Sequence, residues 1–110
     1  MSERVIHLSV TIDAEDKPIV EPHVVVVDNI PALLSFVLNS TTHKFPPDFA
    51  IQVTDPGCDF PYSSWTLGDN AVVLFDANKE AGQFSYTVTV EHKTTGVQTT
   101  FDPTIDNQAR

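Results

Sequence analysis

Period two dominates the chain. Ile6, Leu8, Val10 and Ile12 alternate with His7, Ser9, Thr11 and Asp13, and Phe84, Tyr86, Val88 and Val90 alternate with Ser85, Thr87, Thr89 and Glu91. Side chains of an extended chain point to opposite faces in turn, so each segment predicts a strand with one apolar and one polar face. Weaker patterns predict further strands over Ile19 to Val27, Leu33 to Asn39, Phe49 to Thr54, Ala71 to Phe75 and Val97 to Phe101. Between them, Asp13 to Pro18, Asp28 to Pro31, Lys44 to Asp48, Asp55 to Gly57, Leu67 to Asn70, Asp76 to Gly82 and Lys93 to Gly96 carry the proline, glycine, asparagine and aspartate of turns. A helix over Pro31 to Leu38 is the competing reading, from the spacing of Leu33, Leu34, Val37 and Leu38. Its two turns and the β-formers around Phe36 favour a strand.

About seven strands joined by turns predict an all-β fold, an antiparallel two-sheet sandwich. Valine, isoleucine and threonine make up 32 of the 110 residues, a β-branched load that suits pleated, half-buried surfaces. No repeat or linker divides the chain, so residues 1–110 read as one domain, long enough to hold a core without disulfides or metals.

Fifteen acids against six bases give a formal net charge of −9, which argues against nucleic acid or an anionic membrane as partner. The bases Arg4, Lys17, Lys44, Lys79, Lys93 and Arg110 are scattered and form no patch. No secretory signal pattern opens the chain, and no apolar run approaches the roughly 20 residues that span a bilayer. With a single cysteine, Cys58, a reducing cytoplasmic location is expected.

Gly82, Phe84, Tyr86 and Val88 resemble the late strand of immunoglobulin-like and cupredoxin-like sandwiches, where a glycine leads into a strand whose aromatics plug the core. The resemblance implies a Greek key of one of these two topologies and leaves the choice open. Phe84 and Tyr86 stand where the immunoglobulin strand carries its corner tyrosine and cysteine, and Val88 where the copper proteins carry a ligand cysteine. The tail Phe101-Asp-Pro-Thr-Ile-Asp-Asn107 is similar to the ending of small bacterial β-sandwich proteins of uncharacterised function. That likeness covers about the last 30 residues and implies a fold without an activity. In local terms, Asp102-Pro103 stiffens the strand exit, Ile105 pins the tail to the core, and Asn107 can satisfy loop backbone groups.

Candidate chemistry is sparse. Cys58 lies in a turn-rich segment with no histidine within ten residues, and His7, His23, His43 and His92 are dispersed without the spacing of a copper or zinc site. Asp55 and Asp59 flank Cys58 and disfavour a reactive thiolate, while Ser63-Ser64 lacks the glycine-flanked nucleophile elbow. Asp76-Ala-Asn-Lys-Glu80 resembles the start of a calcium loop, but Ala81 and Thr87 occupy the places of its glycine and its bidentate acid. Asp13, Glu15 and Asp16 read as a solvated hairpin tip. No cofactor is expected.

The remaining feature is aromatic. Phe45, Phe49, Phe60, Tyr62 and Trp65 lie in the proline-broken middle region and either cap the open end of the sandwich or form a contact patch for a protein or small ligand. The strand Val5 to Asp13, if it lies at an edge, offers pairing between chains. Two function classes follow. One is a non-catalytic binding or protein-interaction module, with a homo-oligomer among its expected forms. The other is a metal-dependent or hydrolytic enzyme built on histidines or Cys58, which requires two such groups within about 4 Å around a pocket.

Overall fold

The computed structural model describes residues 5–28 and 30–108. Arg4 and Arg110 of the scattered bases, and Asn29 of the Asp28 to Pro31 turn, lie outside them. The described residues form eleven strands and no helix: β1 (Val5–Ile12), β2 (Pro18–Glu21), β3 (Val24–Val27), β4 (Ala32–Leu38), β5 (His43–Lys44), β6 (Ile51–Val53), β7 (Trp65–Thr66), β8 (Ala71–Asp76), β9 (Gly82–His92), β10 (Gln98–Phe101) and β11 (Thr104–Asn107). The first sheet has the order β2-β1-β4-β8-β7. The second is built on β9, which pairs with β5, β6, β10 and β11, and β11 carries β3 at its far side.

Both sheets are mixed, which corrects the antiparallel expectation. β1 runs parallel to β4, and β3 parallel to β11. The cause lies in Ile19 to Val27, which is two strands in different sheets and not one. β2 returns beside β1, and Pro22, which has no N–H to give a ladder, interrupts the pairing. The chain crosses to the second sheet as β3 and comes back as β4. Parallel neighbours need such a crossover, and β3 supplies it without a helix. The Pro31 to Leu38 stretch is strand, as its β-formers favoured.

Inward positions of the two sheets fill one core. Leu8, Val10, Val20, Leu34, Phe36, Leu38, Val72 and Leu74 meet Val25, Val27, Ile51, Tyr86, Val88, Val90 and Ile105, all buried. Phe36 and Tyr86 join the layers edge to face, with ring centroids 5.7 Å apart. Ile105 does pin the tail, as part of β11, a strand that periodicity alone did not reveal because its run is only four residues.

Candidate interaction surface

Period two also fixes which side chains leave the core. On β1, β4, β8 and β7 of the first sheet the outward positions are Val5, His7, Ser9 and Thr11, then Leu33, Ser35 and Val37, then Ala71, Val73 and Phe75, and Trp65. Register aligns them in rows across the sheet: Val5 beside Leu33 and Phe75, then His7 beside Ser35, Val73 and Trp65, then Ser9 beside Val37 and Ala71. Leu67 extends the last row, its N–H donating to the Ala71 carbonyl. Tyr62 lies over Phe75, with ring centroids 6.1 Å apart. None of these residues is Asp, Glu, Lys or Arg, in a chain of net charge −9. Val5, Val37, Leu67, Tyr62 and Trp65 are 39–69% exposed. Single exposed apolar residues are ordinary on a protein surface, whereas a contiguous set marks a contact site. No family model and no curated protein sequence matches the chain.

The five aromatics of the middle region divide between the two roles expected of them. Phe45 and Phe60 are buried and close the core, Phe60 packing edge to face on Phe84 at 5.0 Å. Phe49, Tyr62 and Trp65 are exposed. Phe49 and Tyr62 flank a cleft of about 270 Å³ whose floor includes Ile51, Phe60 and Leu74. Phe49 holds a positive φ of 58°, a conformation that costs a bulky residue energy and keeps its ring outside the core. The Ser64 hydroxyl donates to the Ile51 carbonyl and accepts the Ile51 N–H, tying the segment before β7 to β6. Trp65 is thereby carried on a short strand whose register with Val73 directs the indole onto the outer face.

Two of the histidines that sequence spacing treats as dispersed are cross-strand partners. β5 and β9 place His43 opposite His92, with ring centroids 4.9 Å apart. Asp16 Oδ1 lies 3.8 Å from His43 Nε2, and Thr95, Val97 and Thr99 complete a second cleft of about 270 Å³. Only the topology reveals this pair, since 48 residues separate the two rings along the chain. His92 Nδ1 accepts the backbone N–H groups of Thr94 and Thr95 at 3.1 and 3.3 Å, so its lone pair is engaged and the neutral ring carries its proton on Nε2. That tautomer offers no free lone pair to a metal. Among the described residues no group of three or more His, Cys, Asp or Glu is placed to hold a metal ion. Cys58 is exposed, and His23 packs edge to face on Phe101. Asp13 accepts the N–H groups of Glu15 and Lys17 at the β1–β2 turn, as expected of a hairpin tip.

The segment that resembled a calcium loop belongs to a buried polar knot between the sheets. Asn107 Nδ2, at the end of β11, donates to Asp59 Oδ2 at 2.8 Å and to Asp76 Oδ1 at 2.9 Å. Asn107 thus serves two carboxylates and not the loop backbone expected of it. Asp59 also accepts the N–H groups of Lys79 and Glu80, and the Asn78 side-chain amide donates to the carbonyls of Val27, Asp28 and Ile30. Burial, helped by the neighbouring Asp59 carboxylate, outweighs the hydrogen bonds from Asn107 and the Asn78 N–H and raises the Asp76 pKa to about 6. The knot fastens the ends of β3, β8 and β11 and the loop that carries Asp59.

Proposed function

We propose that the chain is a non-catalytic interaction module that docks through the outer face of its first sheet. The observation that carries this reading is the uncharged set of outward positions from Val5 to Trp65, continued by Tyr62 and Leu67. An exposed tryptophan on the sheet and a tyrosine on the segment that lies over it are residue types that dominate contact energetics, and the serines and alanine of the face leave room for a partner's side chains. The net charge disfavours nucleic acid as the partner. A photo-crosslinking residue placed at Trp65 and, in a second protein, at Thr89 on the other sheet tests the reading in cells. Crosslinks to a defined chain from position 65 and none from position 89 are expected. Equal capture from both positions, or none from position 65, contradicts it.

A second reading, a metal-dependent or hydrolytic enzyme, is supported by the meeting of His43 and His92 beside Asp16 in a cleft. It requires His92 to give up its backbone hydrogen bonds before Nε2 can bind a metal. Zinc titration followed by the imidazole NMR signals separates the two: saturable shifts of both rings favour the enzyme, unchanged rings the module. The immunoglobulin-like or cupredoxin-like lineage belongs to the same proposal and rests on Gly82, Phe84, Tyr86 and Val88.

A further inference from the structure

Resting on the docking reading above, we infer that the occupant of this face is a second copy of the chain, packed sheet to sheet about a twofold axis near Ser35 and Val73. A twofold interface sets one patch against itself, so the patch must tolerate its own image. With fifteen acids against six bases, surfaces of this molecule that carry its carboxylates would bring carboxylate towards carboxylate. The outer face of the second sheet presents Glu91 and Asp106, with Lys44 already engaged by Glu91 at 3.7 Å. On the first sheet the one acid among the outward positions is Glu21, on the edge strand β2. Among the described residues, this face therefore meets its own image with less repulsion at the contact than the outer face of the second sheet would.

Shape and size agree with that assignment. Outward residues of unequal size adjoin on this face, Leu33, Ser35 and Val37 on β4 and Ala71, Val73 and Phe75 on β8, and give it relief. Two such sheets interdigitate at about 10 Å separation with strands rotated by about 30°. Two exposed aromatics and three half-exposed aliphatics offer on the order of 600 Å². The half-buried Leu33, Val73 and Phe75 bring the face towards the roughly 800 Å² per partner of a standard interface. An exposed patch of about 600 Å² stands at the upper end of what a monomer leaves in water, where such patches are often functional. Because the two copies still repel through the rest of their charge, added salt should tighten the dimer, opposite to an interface held by ion pairs.

Sedimentation velocity across a dilution series from low to high micromolar, at low and at high sodium chloride, tests the inference. The wild type should be a dimer whose dissociation constant falls as salt rises. Val73→Glu sets two carboxylates against each other at the axis and should weaken the dimer by about a hundredfold or more. Thr89→Glu, the same charge on the other sheet, should leave it unchanged. Val37→Lys serves as a second variant should Val73→Glu fold poorly, and it should also yield monomer. A wild type that stays monomeric throughout, or a dimer that survives both first-sheet variants, overturns the inference. The crosslinker at position 65 then tells the two failures apart. Capture of a different protein keeps the docking face and discards the second copy, and capture of nothing discards both.

Discussion

The two sheets of this sandwich obey the same alternation and differ in what they put on the outside. β9 alternates buried Tyr86, Val88 and Val90 with Ser85, Thr87, Thr89 and Glu91, and its neighbours add Gln98, Thr100, Thr104 and Asp106, an ordinary solvated surface. β4 and β8 alternate buried Leu34, Phe36, Val72 and Leu74 with Leu33, Val37, Val73 and Phe75. In the second sheet the exposed apolar exceptions, Val24 and Val26, are confined to the edge strand β3. Folding needs only the inward half of each pattern. The outward half is free to be polar, as β9 is, so an outward half that stays uncharged over four adjacent strands, and largely apolar on β4 and β8, is a property the fold does not require.

The sharpest way to break this contrast is to compare inward and outward truncations. Leu34→Ala in the first sheet and Ile105→Ala in the second each empty a fully buried site and should cost about 2–5 kcal/mol in urea unfolding. Leu33→Ala, one residue away on the outward face, should cost well under half of the Leu34 value at protein concentrations where the chain is monomeric. Equal costs at Leu33 and Leu34 would mean that the outward face is already covered within one chain.

The knot that joins the sheets gives a pH-dependent effect of the next size. Asp76 ionises near 3.8 when unfolded and near 6 in the folded chain. The folded state keeps the proton over that interval, so Asp76 favours folding most below about pH 4, and this contribution is lost as the pH rises to about 6. Relative to Asp76→Asn, the wild type should therefore lose on the order of 3 kcal/mol between pH 4 and pH 7. Parallel stability curves for the two proteins would contradict a buried, proton-holding carboxyl at this junction.

The smallest effect tests the inner side of β9. The Tyr86 hydroxyl is buried without a hydrogen-bond partner, and burial pushes its pKa upward. Tyr86→Phe keeps the edge-to-face contact with Phe36 and removes an unsatisfied polar atom, so it should raise stability by about 1 kcal/mol. A loss of similar size would show that the hydroxyl is satisfied in solution.

Much of the fold is legible in the sequence because alternation is local. The strands around Leu8 and Tyr86 follow from period two, and those around Leu34 and Leu74 from short apolar runs of β-formers bounded by turn residues. What is not legible depends on partners distant along the chain. The run from Ile19 to Val27 reads as one strand until Pro22 is seen to separate two sheets, and the short strands at His43, Trp65 and Thr104 are too brief to carry a period. The site divides in the same way. Composition singles out the aromatic middle region but cannot tell Phe45 and Phe60, which fill the core, from Tyr62 and Trp65, which face outward. The uncharged face escapes a reading by segments because its residues come from four strands that adjoin only through register. The pairing of His43 with His92 and the joining of Asp59, Asp76 and Asn107 are hidden for the same reason.

Trp65 is the only tryptophan in the chain and stands on the face in question, 69% exposed. Its fluorescence emission, followed as the protein is concentrated, therefore reports directly on whether that face is used. Emission characteristic of a water-exposed indole at high dilution, moving to the blue as concentration or salt rises and staying unshifted in Val73→Glu, is the predicted result. Emission that remains that of an exposed indole at every concentration and salt, or a blue shift that Val73→Glu does not prevent, would contradict it.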